Sequence, residues 1–123
     1  MAKTLVDLYA FGSRTKGPRL PRPGIDVFPD DNDMICPESP KSANGASTFA
    51  NINECPLCGH YFVLPANCEL PEALDVVSDG VDVDPESNHL PTHHTIFPSR
   101  RMRLEEFVVL YERLPWRYAG RKG

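Results

Sequence analysis

No stretch of the chain approaches the ~20 consecutive apolar residues that cross a bilayer as a helix, and Met1 to Phe11 holds no apolar run of signal-peptide length. The expectation is therefore a cytoplasmic protein with no membrane partner, whose export would need a dedicated secretion machine. No segment repeats at a fixed period, and neither sign of charge dominates. With 13 basic against 17 acidic residues and a net charge of -4, the field of the whole chain gives no reason to propose nucleic acid or an anionic membrane as partner. Four cysteines without a secretory leader read as free thiols rather than a disulfide frame.

What is present suits a single domain spanning 1-123, since 123 residues support one hydrophobic core. Hydrophobic residues at 41% and charged residues at 24% are globular values, while 13 prolines imply long irregular connections. The charges are segregated. Arg14, Lys16, Arg19 and Arg22 crowd an early loop, Arg100 to Lys122 is basic, and Asp75 to Glu86 is acidic.

Leu5 to Phe11 reads as a strand on the β-propensity of Val6 and Tyr9, and Gly17 to Gly24 reads as loop. Ile25-Asp26-Val27 and Met34-Ile35-Cys36 suggest two brief strands about a turn, followed by a loop from Pro37 to Gly45. His60 to Leu64 and Thr92 to Phe97 are β-branched or aromatic runs, each stopped by a proline. Leu74 to Ser78 and Val81 to Val83 flank Asp79-Gly80, which predicts an antiparallel hairpin. Leu104, Phe107, Val108, Tyr111 and Leu114 form one helical stripe, with Ser99 as cap, Glu105 and Glu106 early, and Pro115 at the stop. Short strands with one helix predict an α+β domain with a mostly antiparallel sheet.

Cys55-Pro-Leu-Cys58 is a C-x-x-C knuckle that can present two thiolates to zinc, with His60, Cys36 or Cys68 to complete the set. Cys36 and Cys68 each stand alone, whereas structural zinc sites usually show two matched pairs. His93 and His94 invite acid/base or metal chemistry. Adjacent strand positions point to opposite faces, so the two cannot serve one site together.

Taken in order, the motifs resemble one family. The elements are Leu8-Tyr9, Arg22-Pro-Gly-Ile-Asp26, Met34-Ile-Cys-Pro37, Gly45-Ala-Ser-Thr-Phe49, His60-Tyr-Phe-Val-Leu-Pro65, Leu70-Pro71, Leu74-Asp-Val-Val77, Asp79-Gly80 and Thr92-His-His-Thr-Ile-Phe-Pro98 with Met102. The series resembles the ADP-ribosyltransferase toxins of the Tse-two type, exported by bacterial type VI secretion and with fungal relatives.

The resemblance implies two small, mostly antiparallel sheets around an NAD cleft, with a C-terminal helix. It implies NAD as substrate, cleavage of the nicotinamide–ribose bond, and transfer of ADP-ribose to an unidentified acceptor or to water, and it implies an immunity protein as partner in a bacterial setting. Arg14, with Arg19 next in line, is expected to hold the diphosphate. Ser47 and Thr48 order the cleft, Phe49 stacks on nicotinamide, and His93 or His94 lies opposite with Ser47 as the catalytic candidates. The broader superfamily places a glutamate near the strand equivalent to Thr92 to Pro98, and this sequence has none there; Glu86, Glu105 and Glu106 lie outside it. Transfer by an unusual mechanism, NAD hydrolysis and NAD binding without turnover are the mechanisms consistent with that departure. Two other functions compete with the toxin enzyme: a small zinc-stapled interaction module on Cys55 and Cys58, and a non-catalytic relative that acts by binding a partner.

Overall fold

A computed structural model describes residues 2–37 and 44–123 of the chain. Its strands in chain order are β1 (Leu8–Ser13), β2 (Gly17–Pro18), β3 (Met34–Ile35), β4 (Ala46–Phe49), β5 (Gly59–Leu64), β6 (Leu74–Ser78), β7 (His93–Pro98), β8 (Met102–Arg103) and β9 (Arg117–Lys122), with helix α1 (Leu104–Glu112) between β8 and β9. Seven strands form one sheet in the order β6-β7-β4-β1-β5-β9, with β2 alongside β1, and β3 and β8 form a separate pair. Every pairing of named strands is antiparallel. This is the α+β class with a mostly antiparallel sheet. Among the described residues, no helix is long and apolar enough to cross a membrane.

One pairing in that sheet is unlike the rest. β4 pairs with β7 along its whole length, and β1 pairs with β5 from Leu8 to Gly12. Between β1 and β4 a single pair is formed, Tyr9 with Phe49. The sheet is thus two small half-sheets, β6-β7-β4 and β2-β1-β5-β9, held together at one residue on each side.

The pleat explains the core. Leu8 and Ala10 of β1, Phe62 and Leu64 of β5, Leu74 of β6 and Ile96 of β7 are buried, as period-two alternation requires of one sheet face. The apolar stripe of α1 covers this face. Phe107 and Tyr111, one turn apart, are both fully buried, and the Trp116 indole donates to the Tyr111 carbonyl at 2.9 Å, folding the chain back beneath the helix before β9.

Several local expectations change. The helix begins after Arg103, which makes no side-chain cap hydrogen bond; the Ser99 hydroxyl instead donates to the Glu72 carbonyl. The helix is not the last element, because Arg117–Lys122 continues as an edge strand on β5. Ile25-Asp26-Val27 is turn, with one isolated bridge from Pro23 to Val27. Val81 to Val83 does not pair with β6, whose partner is β7. The reason lies at Asp79-Gly80: a Cβ on Gly80 would collide with the carbonyls of Leu90 and Pro91, so this glycine serves close backbone packing rather than a two-residue hairpin turn. The expected loop from Pro37 to Gly45 falls mostly outside the described residues.

Phe107→Ala should cost about 3–5 kcal/mol of unfolding free energy, the range for deleting a fully buried aromatic from a packed core. Val109→Ala, on the exposed face, should cost less than about 1 kcal/mol. Denaturant unfolding followed by circular dichroism measures both, and equal costs would show that α1 does not cover the sheet as described.

Candidate functional site

Beyond the Tyr9–Phe49 pair, β1 and β4 part, and a cavity of about 220 Å³ opens between them. It is lined by Tyr9, Ala10 and Phe11 of β1, Ala46, Ser47 and Phe49 of β4, Arg19, Pro21 and Asp26 from the β2–β3 connection, Pro56, Leu57 and Tyr61 at the start of β5, and Tyr111 of α1. The cavity therefore runs from the outer sheet face through the parting to the helix.

The edge of β1 that faces β4 explains why the gap exists. β4 takes it at Tyr9, β2 takes it at Gly12 and Ser13, and the Arg19 amide donates to the Phe11 carbonyl at 2.9 Å. The hairpin from β1 to β2 thus holds β4 off the second half of β1. It also separates the two arginines. Arg14 sits in the tight turn between Ser13 and Gly17 and does not reach the cavity. Arg19 follows the returning strand, lines the cavity and lies over the Phe11 ring at 5.3 Å from its centroid.

β4 divides its side chains between two faces. Ser47 is exposed and Phe49 partly buried, and both line the cavity. Thr48 points the other way, is buried, and its hydroxyl donates to the His94 carbonyl at 3.0 Å. It braces the β4–β7 pair and is not a cavity residue. Gly45 permits the approach of β4 to β7, since a Cβ there would collide with the Ile96 carbonyl.

The histidines are not brought to the cavity. His93 is opposite Phe49 in register and meets its ring edge-on at 5.3 Å between centroids, but it is 3% exposed and faces Asp79. His94 is on the opposite face, and its Nδ1–H donates to the Thr92 carbonyl at 2.8 Å. The expectation of a catalytic histidine across from Ser47 thus meets a strand whose residue directly opposite Ser47 is Thr95.

The side chain that sequence reasoning missed is Asp26, the one carboxylate among the lining residues. Arg22, one helical-turn spacing earlier, donates to its Oδ2 from both the backbone amide at 2.8 Å and Nε at 3.0 Å. The spacing of arginine and aspartate within Arg22-Pro-Gly-Ile-Asp26 was the available signal. Asp26 shares the cavity lining with Tyr111, whose phenol is pushed well above the ordinary tyrosine range by burial and by the Asp26 charge, with Arg19 acting in the opposite sense.

A second cluster lies on the outer face at the end of β6. His93 Nδ1–H and Thr95 Oγ1–H donate to Asp79 Oδ1 and Oδ2, each at 2.5 Å, and the His89 ring stacks on His93 at 4.0 Å. Burial works to raise the Asp79 pKa, but the hydrogen bonds from His93 and Thr95 and the nearby histidine charges outweigh it and hold the carboxyl below its ordinary value. Burial, together with repulsion from His93, lowers His89 against the opposing pull of Asp79.

The cysteine knuckle does not assemble a zinc site among the described residues. Cys55 is buried and Cys58 exposed, and the one group of three potential ligands is Asp79, His89 and His93. Burial raises the Cys55 thiol, the wrong direction for a ready thiolate ligand. The knuckle is instead tied to β9 by Lys122, whose ammonium donates to the carbonyls of Asn53 and Cys55.

No family model matches this chain, and a search of curated proteins finds no similar sequence.

Tyr61 gives the cavity wall a pH signature. Its hydroxyl donates to the Leu57 carbonyl at 2.7 Å, and burial, with the neighbouring Cys55 adding to it, pushes its pKa up to about 12 from 10.0. A phenol whose folded pKa exceeds its unfolded one contributes stability that is complete below pH 10.0 and lost as pH rises to about 12. Thermal unfolding from pH 9 upward should therefore show a steeper loss for the native chain than for Tyr61→Phe across that window; parallel curves would place the phenol in water.

Proposed function

We propose that the chain is an NAD-dependent toxin that cleaves the nicotinamide–ribose bond and passes ADP-ribose to an acceptor or to water. The observation that carries this reading is the cavity at the parting of β1 and β4, which collects Arg19, Ser47 and Phe49, three of the residues the family resemblance assigns to NAD.

The chemistry has definite needs, and the lining supplies groups of the right kind. A diphosphate calls for a cation, and Arg19 stands at the cavity with its guanidinium already positioned over Phe11. The departing ring is flat and aromatic, suited to stacking against Phe49, Tyr9 or Tyr61. Ser47 offers a hydroxyl to the ribose. Developing positive charge on the sugar calls for a preorganised negative group, and Asp26 is the carboxylate at hand. Its partnership with Arg22 through Oδ2 fixes its orientation. The role sought in a glutamate on β7 thus passes to an aspartate from another part of the chain, while His93, His94 and Thr48 support the walls. A cavity of about 220 Å³ is below the roughly 300–1,000 Å³ of whole-ligand pockets, so it takes the nicotinamide riboside end and leaves the adenosine end along the surface near Arg19. Growth arrest of the cell that makes it, relieved by an immunity partner that covers this cleft, is the cellular counterpart.

Purified protein incubated with NAD should release nicotinamide, measured by chromatography with and without cell lysate to separate transfer from hydrolysis. Arg19→Ala and Ser47→Ala should each lower kcat/KM by about 10²-fold, the usual consequence of removing one stabilising group from such a site. Asp26→Asn should act mainly on kcat. Arg14→Ala should stay within about twofold, as befits a turn residue outside the cavity. Release that falls equally with Arg14→Ala and Arg19→Ala, or no release by the unaltered chain, would reject the reading.

A further inference from the structure

We propose that Asp79, His89 and His93 form a binding site for a divalent transition-metal ion of the zinc class, independent of the NAD cleft and of the cysteine knuckle. Their donor atoms all lie within 4.8 Å of one another. Two imidazoles and a carboxylate are a donor set that suits zinc, with a remaining position for water.

A hydrogen-bonded loop clasp would be the simpler account, and it explains Asp79, His93 and Thr95. It explains His89 only as a ring stacked on His93. The His89 Nε2 stands 3.8 Å from Asp79 Oδ2, too far for a hydrogen bond. Two ligands of one tetrahedral ion with bonds of about 2.0–2.1 Å are separated by roughly 3.4 Å, so an ion between them needs His89 to swing out of its near-parallel stack on His93 and turn a ring nitrogen toward Asp79. That movement is available: His89 is 36% exposed on its side chain and comes from the 80–92 connection. His93 Nδ1 and Asp79 Oδ1, 2.5 Å apart around their shared proton, part by roughly 0.9 Å when the ion takes its place. His93 is buried against Phe49, and Asp79 is oriented by the Thr95 hydroxyl, which would act on the ion through the carboxylate it holds.

The connection is also shaped beforehand to deliver His89. The Ser87 hydroxyl donates to the Asp79 carbonyl at 2.5 Å and accepts from the His89 amide at 3.0 Å, while Val83 and Asp84 amides donate to the Gly80 carbonyl. One end of the loop is thus anchored to the residue that carries the carboxylate. On binding, the ion replaces the proton that His93 Nδ1 shares with Asp79, and that proton is released to solvent.

The test uses the full chain, stripped with chelator and titrated with zinc by calorimetry and with cobalt(II) by visible absorption. Expected are one equivalent of zinc, a cobalt spectrum without a thiolate charge-transfer band, binding at least about tenfold weaker in His89→Ala, and unchanged binding in Cys55→Ser/Cys58→Ser. His89→Gln, which keeps the bulk of the ring, serves as a second variant with the same expected loss. No binding by the native chain, binding unaffected by either His89 variant, or binding lost with the cysteines would overturn the site.

Discussion

The pairing of Tyr9 with Phe49 is where this fold is made and where it is opened. A strand edge must satisfy its backbone groups, and β1 does so on the β4 side with three different partners: β4 at Tyr9, its own hairpin strand β2 at Gly12 and Ser13, and the Arg19 amide at Phe11. Because the hairpin takes the outer half of that edge, β4 cannot zip along it. The half-sheets remain joined, and a cavity is left between them.

The same arrangement places charge. Arg19 is carried to the cavity by the strand that wedges it open, and Asp26 follows in the turn that closes with Arg22. A cation and a carboxylate thus meet aromatic side chains from both half-sheets. On the far side of the β4–β7 pair, the Asp79 network fastens the end of β6 to β7 and supports Phe49 through His93. The two polar clusters are neighbours through that phenylalanine while using different chemistry.

Elements with a strong period were legible in the sequence. The α1 stripe of Phe107 and Tyr111, the β5 run and the β7 run each appear where spacing places them, because one face of each meets a single continuous core. β9 was not legible: Arg117-Tyr-Ala-Gly-Arg-Lys122 has no apolar alternation, since it is an edge strand with little to bury and charges that discourage further pairing. Asp79-Gly80 carried the signature of a hairpin turn, yet a tertiary demand prevailed, with the carboxylate claimed by His93 and Thr95 and the glycine by the Leu90 and Pro91 backbone. At the cavity, Ser47, Thr48 and Phe49 were named together through the resemblance, and only Ser47 and Phe49 line it, because alternation along β4 turns Thr48 to the other face. The choice between Arg14 and Arg19 was not legible, because it depends on which side of a tight turn each falls. Asp26 was hidden for a related reason: its place at the cavity is set by a turn that no periodicity describes.

The parting of β1 and β4 is the place where NAD is proposed to bind. Backbone amide shifts of isotopically labelled protein, followed through an NAD titration, report on this directly. Changes concentrated at Ala10, Phe11, Arg19, Asp26 and Ser47, with the α1 face beyond Tyr111 and the β9 edge unmoved, are the predicted result. No saturable change, or changes centred elsewhere in the sheet, would contradict it.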